Sequence, residues 1–213
     1  MRTHEGERAS SGFAVPAVVD SCVFPHVRRW LEPLIDYARA GYLEPIWSPW
    51  IIAETNRLLT WLWLERVGGQ QTGSTWAECS RAAKRVFARL TQVFRVVDDH
   101  PPHELLWTDE PADEWDVPVW NAAVRARARF IVTENVKDGP PPDRNGIRMH
   151  GGIFFVHPDD FLGYLDWYAD FVTAYTCRQE LPELAPGVAG TSELDPAIRE
   201  SLIEILKRTG FTG

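Results

Sequence analysis

The chain has 213 residues, 45% of them hydrophobic and 24% charged, which fits one globular domain with room for extra elements. Its net charge of −8 excludes nucleic-acid binding through bulk charge, so a nucleic-acid role needs a local basic patch or bound metal ions. No run of about 18 apolar residues occurs, which excludes a membrane-spanning helix. Three widely spaced cysteines, Cys22, Cys79 and Cys177, form neither a disulfide framework nor a zinc pattern and favour a reducing cytoplasm.

Residues 1–12 are polar, lack the apolar core of a signal peptide, and read as a flexible tail. The run from Ala14 to Val19 is apolar and β-branched, as in a buried strand, and it ends in Asp20-Ser21. In open α/β sheets ligands bind just outside the carboxyl ends of the strands. Asp20 is therefore a candidate site residue as well as a candidate helix cap. Val23 to Ala40 reads as a helix stopped at Gly41, and Leu43 to Trp47 as a second strand. Ser48-Pro49 is a helix start, with Ser as N-cap and Pro at the first position; this helix runs to about Val67. Its inward stripe is expected at Ile51, Thr55, Leu58, Leu59 and Leu62, with Glu54 at the stripe's edge.

A third helix opens at Ser74 or Thr75, and a third strand covers Phe94 to Val97, followed by breakers from Asp98 to Pro102. A short helical piece is expected over His103 to Trp107. Pro118 is tolerated only in the first turn of a helix, which places Asp116 at or near a helix start, with Asp113 and Glu114 as alternatives. A helix N-terminus favours such a carboxylate. Arg129 to Thr133 is a fourth strand, and Thr133-Glu134-Asn135-Val136-Lys137-Asp138 emerges from its end. Asn135 offers a neutral oxygen, Asp138 a charged one, and Lys137 a cation for a phosphate. Gly139 to Gly151 reads as a Pro/Gly-rich loop, Gly152 to Val156 as a fifth strand, and Pro158 starts a helix reaching about Thr176. A loop from Leu181 to Thr191 precedes a last amphipathic helix beginning at Asp195-Pro196. The organisation expected is a tail over 1–12, a body over 13–176, and a linker with a helical appendage over 177–213.

Alternating strands and helices predict an α/β fold with a parallel sheet covered on both faces. Oxygen-rich side chains at strand ends and helix starts suggest one acidic cluster. Clustered carboxylates repel one another, and a hard divalent cation such as Mg²⁺ or Mn²⁺ relieves that conflict. It also lowers the pKa of a bound water and polarises a phosphoryl oxygen, which is phosphodiester chemistry. Most of the ten tryptophans suit a core or an interface. Trp61 falls on the Glu54 side of the second helix, two turns on, where it can also stack a base, while Trp63 points elsewhere. Arg125, Arg127 and Arg129 read as a solvated face, and the histidines show no metal-ligand spacing. No Gly-rich phosphate loop follows any strand.

The order of these motifs resembles the PIN-domain family of metal-dependent ribonucleases. Val18-Val19-Asp20-Ser21 looks like its first motif. Ser48-Pro49 through Glu54-Thr55-Asn56-Arg57 looks like the second. Asp116-Val117-Pro118-Val119-Trp120-Asn121 looks like the third, and Ile131 to Asp138 like the strand-end motif that closes the site. His157-Pro158-Asp159-Asp160 resembles the exit from the last strand. The resemblance covers roughly residues 14 to 165. It implies a three-layer fold with five parallel strands in the order 3-2-1-4-5. It implies Asp20, Glu54 and Asp116 as acids holding Mg²⁺ or Mn²⁺, with Asn135 or Asp138 completing the ring. It implies that Ser21 orients Asp20 or a bound water; Thr133, Lys137 and Trp61 are expected as substrate-binding or supporting residues. The activity implied is RNA cleavage, and many relatives are VapC-like toxins, often homodimeric and blocked by a small antitoxin. The chain departs from a minimal toxin in its length, its Asn at the fourth position and its C-terminal extension. The alternative is a non-catalytic PIN-like module that binds RNA or protein.

Overall fold

The computed structural model describes residues 13–68, 73–100, 116–176 and 195–208. The tail over 1–12, the piece expected over 103–107, Asp113, Glu114, Cys177 and the 181–191 loop lie outside the described residues.

Six strands form one sheet: β1 (Val15–Val19), β2 (Leu43–Trp47), β3 (Arg95–Val96), β4 (Phe130–Val132), β5 (Arg148–His150) and β6 (Ile153–Val156), in the spatial order β3-β2-β1-β4-β6-β5. The five strands expected in parallel are β3-β2-β1-β4-β6, in the expected order. The sixth, β5, is a correction. It lies inside the stretch read as loop and pairs antiparallel with β6. Arg148-Met149-His150 carries no β-branched or aromatic signal, so only the hairpin geometry reveals it. The turn is Gly151-Gly152, with φ of +54° and +79°. A Cβ on Gly151 would lie 3.0 Å from the Trp120 ring, so both the backbone angle and the close approach require glycine there.

β1 is central, and Val15, Ala17, Val18 and Val19 are fully buried. Such a strand, covered on both faces, reads as a continuous apolar run. Register sets the chemistry: Val19 pairs with Val132, and Val132 with Val156. The residues that follow, Asp20, Thr133 and His157, therefore leave the sheet level with one another at its carboxyl edge.

The helices are α1 (Glu32–Ala40), α2 (Pro49–Arg66), α3 (Gly73–Leu90), α4 (Val117–Ala126), α5 (Pro158–Thr176) and α6 (Pro196–Arg208). α1 packs with α5 on one face, and α2 packs with α3 and α4 on the other. The continuous helix expected from Val23 is interrupted. A 3-10 turn at Ser21–Val23 is followed by a π-helical turn at Val27–Leu31. Pro25 and Pro33 lack the N–H groups that a regular helix needs, and the His26 carbonyl accepts from both Trp30 and Leu31. Gly41 does end α1, in the left-handed conformation.

α2 starts as expected: Ser48 Oγ accepts the Ile51 N–H at 3.2 Å, behind Pro49. Its buried face is Ile51, Thr55, Leu59, Thr60 and Leu64, whereas Leu58 and Leu62 are only half-buried. The face is rotated from the expected stripe because α3 packs along the flank of α2. Trp30, Trp47 and Trp120 belong to the core, and Trp61, Trp63 and Trp76 are exposed. Ile198 and Leu202 of α6 join the same core as β1. Burial on this scale stabilises by about 1.5–3 kcal/mol per large side chain. Glu204 on the same helix pairs with Arg129 at 2.6 Å, so Arg129 is not simply solvated.

Candidate metal site

The carboxyl edge of the sheet gathers most of the expected residues. Asp20 follows β1 and is buried. Its Oδ1 accepts the Ser21 N–H at 2.6 Å, and its Oδ2 accepts the Thr133 hydroxyl at 2.7 Å and the Cys22 thiol at 3.2 Å. Three donors from two strand ends thus hold one carboxylate in a single orientation. Thr133 in turn accepts the Asn135 N–H at 3.1 Å, so the loop after β4 is tied to Asp20 through one hydroxyl. The Ser21 hydroxyl points the other way and donates to Oε2 of Glu54 at 2.9 Å. Asp20, Ser21, Glu54, Thr133 and the Asn135 backbone are therefore one connected set.

Glu54 lies in the second turn of α2, half-buried, with Oε1 3.8 Å from the Arg57 guanidinium one turn on. Trp50, Ala53, Glu54 and Arg57 line a cleft beside it. Asp116 stands at the N-cap of α4 in helical conformation, and among the described residues its side chain makes no capping bond to the helix. Asn135, Lys137 and Asp138 are exposed, and the Asp138 N–H closes a turn on the Asn135 carbonyl at 3.0 Å. Trp61 is exposed, beyond the hydrogen-bonded set.

Several contacts carry no sequence signal. Cys22 sits between Asp20 and the loop after β4: it accepts the Glu134 N–H at 3.2 Å and lies 3.4 Å from the Thr133 hydroxyl. Burial, helped by the nearby Asp20 charge, pushes the Cys22 thiol up to about 12. The protonated thiol is therefore the donor in its bond to Asp20. His26 reaches Glu134 at 3.3 Å across the same edge. Asp99, read as part of a breaker, accepts the Trp50 N–H at 2.7 Å and so caps α2 alongside Ser48. Its carbonyl accepts from Asn121 of α4.

The groups at the sheet edge are carboxylate and hydroxyl oxygens with one thiol beside them, a mainly oxygen set that fits a hard divalent cation better than a soft one. Asp20, Glu54 and Asp116 do not bring ligand atoms within 4.8 Å of one another as a trio. Among the described residues only Asp98, Asp99 and His100, after β3, do so. Mg²⁺ and Mn²⁺ keep several waters and are bound through few carboxylates, so such an ion does not require a close all-protein trio. In donor chemistry the residues present fit such an ion.

A sequence model of a known family, described as PIN domain, matches residues 16–137, more than half of the chain. That span begins within β1 and ends after β4, and so includes Asp20, Glu54, Asp116 and Asn135. No curated protein matches the chain.

Proposed function

The chain belongs to the PIN-domain family, typically nucleases, and on that premise we propose that it is a Mg²⁺- or Mn²⁺-dependent endoribonuclease. The observation that carries the reading is the connected set at the sheet edge, in which Ser21 and Thr133 orient the carboxylates of Glu54 and Asp20. Asp20, Glu54 and Asp116 are the residues that would hold the ion, and Asn135 or Asp138 the fourth position. When bound, the ion supplies a polarised phosphoryl oxygen and a more acidic water. The protein's own groups do the positioning. Thr133 and Cys22 hold Oδ2 of Asp20, Ser21 holds Glu54, and Lys137 offers a cation to an RNA phosphate on the β4 side.

The proposal extends to a toxin that acts in the cytoplasm, self-associates as a homodimer and is held by an antitoxin. Exposed Trp63, Val67 and Trp76 at the far end of the α2–α3 pair support a protein partner. No helix is long and apolar enough to cross a membrane among the described residues.

The test is cleavage of end-labelled RNA by purified protein with Mn²⁺, with excess EDTA, and with Asp20→Asn. Cleavage should require Mn²⁺. The variant should stay folded and lose more than the roughly 10–100-fold that supporting residues of metal sites cost. Cleavage that survives EDTA would remove the metal from the reading. A folded protein that binds RNA without cleaving it would turn the reading to a binding module.

A further inference from the structure

The outward face of α2 leads from the cleft beside Glu54 along a single stripe. At about 100° per residue, Trp50, Arg57 and Trp61 lie within about 40° of one another, with Glu54 about 20° further round. At about 1.5 Å rise per residue, Trp61 stands about 10 Å beyond Glu54 along the helix. Arg57 has a side chain 72% exposed, and its only charged neighbour among the described residues is Glu54 at 3.8 Å. Trp61 is 48% exposed, and among the described residues no ring or guanidinium stacks on it. Trp63, on the other side of the helix, differs: the Arg66 guanidinium lies 5.6 Å from its ring centroid.

The geometry points to this stripe as the track for the RNA that flanks the cleaved phosphate, with Arg57 holding a backbone phosphate and Trp61 stacking a base. The inference rests on the nuclease reading and adds to it a direction for the strand and two residues that select it. The chemistry of the two exposed groups, a guanidinium and an indole on a face continuous with the cleft at Glu54, favours a nucleic-acid occupant. The stripe alternates a cation and an aromatic ring and is broken by Glu54 and Glu65, whereas a protein-docking face needs contiguous apolar surface. Bulk charge on this chain repels RNA, so the grip depends on local groups: a guanidinium for phosphate and a π-face for any base. Stacking is tolerant of base identity, so the track selects unpaired RNA rather than a sequence.

The experiment measures anisotropy of a short fluorescein-labelled single-stranded RNA in EDTA, which stops turnover, with wild type, Trp61→Ala, Trp61→Phe, Arg57→Gln and Trp63→Ala. Trp61→Ala should weaken binding about tenfold, and Trp61→Phe should recover most of it. Arg57→Gln should weaken binding and lower the slope of log affinity against log salt by about 0.7, as expected for one phosphate contact to a single strand. Trp63→Ala should bind as wild type. In Mn²⁺ turnover the Trp61→Ala loss should fall on KM rather than kcat. If Trp61→Ala and Arg57→Gln bind like a wild type that does bind and cleave RNA, the track is wrong while the nuclease reading stands. If Trp61→Ala instead alters self-association with RNA binding intact, the stripe is a protein interface and the track is overturned. A wild type that neither binds nor cleaves RNA overturns both.

Discussion

Ser21 and Glu54, 33 positions apart, are joined by a hydrogen bond of 2.9 Å from the serine hydroxyl to Oε2. The second residue after β1 thereby sets the direction of a carboxylate on α2. A bond from a neutral donor to a carboxylate contributes about 1.5–3 kcal/mol when well shielded, and less here because Glu54 is only half-buried. Ser21→Ala should cost about 1 kcal/mol of stability, measured by urea unfolding. It should also weaken Mn²⁺ binding, whereas Ser21→Thr should keep both. Wild-type Mn²⁺ affinity in Ser21→Ala would show that Glu54 needs no such support.

Binding to the folded chain alone stabilises by mass action, by about 2.7 kcal/mol at a hundredfold excess over Kd. Millimolar Mn²⁺ should therefore raise the melting temperature of wild type, and Asp20→Asn should lose most of that rise. Calorimetric scans with and without Mn²⁺ decide it. An identical shift in both proteins would place the ion elsewhere, and the trio Asp98, Asp99 and His100 after β3 would be the first place to look.

The loop after β4 separates two candidates for the fourth position. Asn135 is tied by its backbone to Thr133 and so to Asp20, while Asp138 lies one turn further out. Asn135→Asp adds a negative charge near the ion and should raise metal affinity, most clearly at low ionic strength. Asp138→Asn should change it less. Titrations that give the reverse ranking would assign the fourth role to Asp138.

Asp159, at the start of α5, accepts the Trp30 indole N–H at 2.7 Å and pairs with Arg29 at 2.6 Å. The indole bond first, and then Arg29, hold its carboxyl below the usual range. A lowered carboxylate contributes stability above its unfolded pKa of about 3.9 and loses it as pH falls through the lower folded value. Wild type should therefore melt above Asp159→Asn at neutral pH, with the gap closing below about pH 4. The side chain is 43% exposed, so the gap should be small. A gap that stays constant down to pH 2 would mean that the indole bond does not depend on the charge.

Much of the site was legible because local chemistry marks it. A β-branched run ending in Asp20, Ser48-Pro49 opening a helix, and Pro118 confined to a first turn each have one backbone solution. The sheet order followed from the family resemblance. What escaped depends on partners distant in sequence. The Cys22 thiol matters only because Thr133 and Glu134 arrive beside it. Asp99 becomes a cap only when β3 sets it against the start of α2. The rotated face of α2 reflects the neighbouring helix, which hydrophobic periodicity within α2 does not encode.

The sheet's two margins have a consequence for assembly. β3 offers two residues, with Arg95 bound to Glu44 on its neighbour. β5 offers three, and Pro142, which has no N–H to give, bridges to Arg148 on its outer side. Short, cationic, proline-guarded margins resist recruitment of a further strand. Copies of this chain that meet at high concentration are thus steered away from ladder-to-ladder growth along either margin of the described sheet.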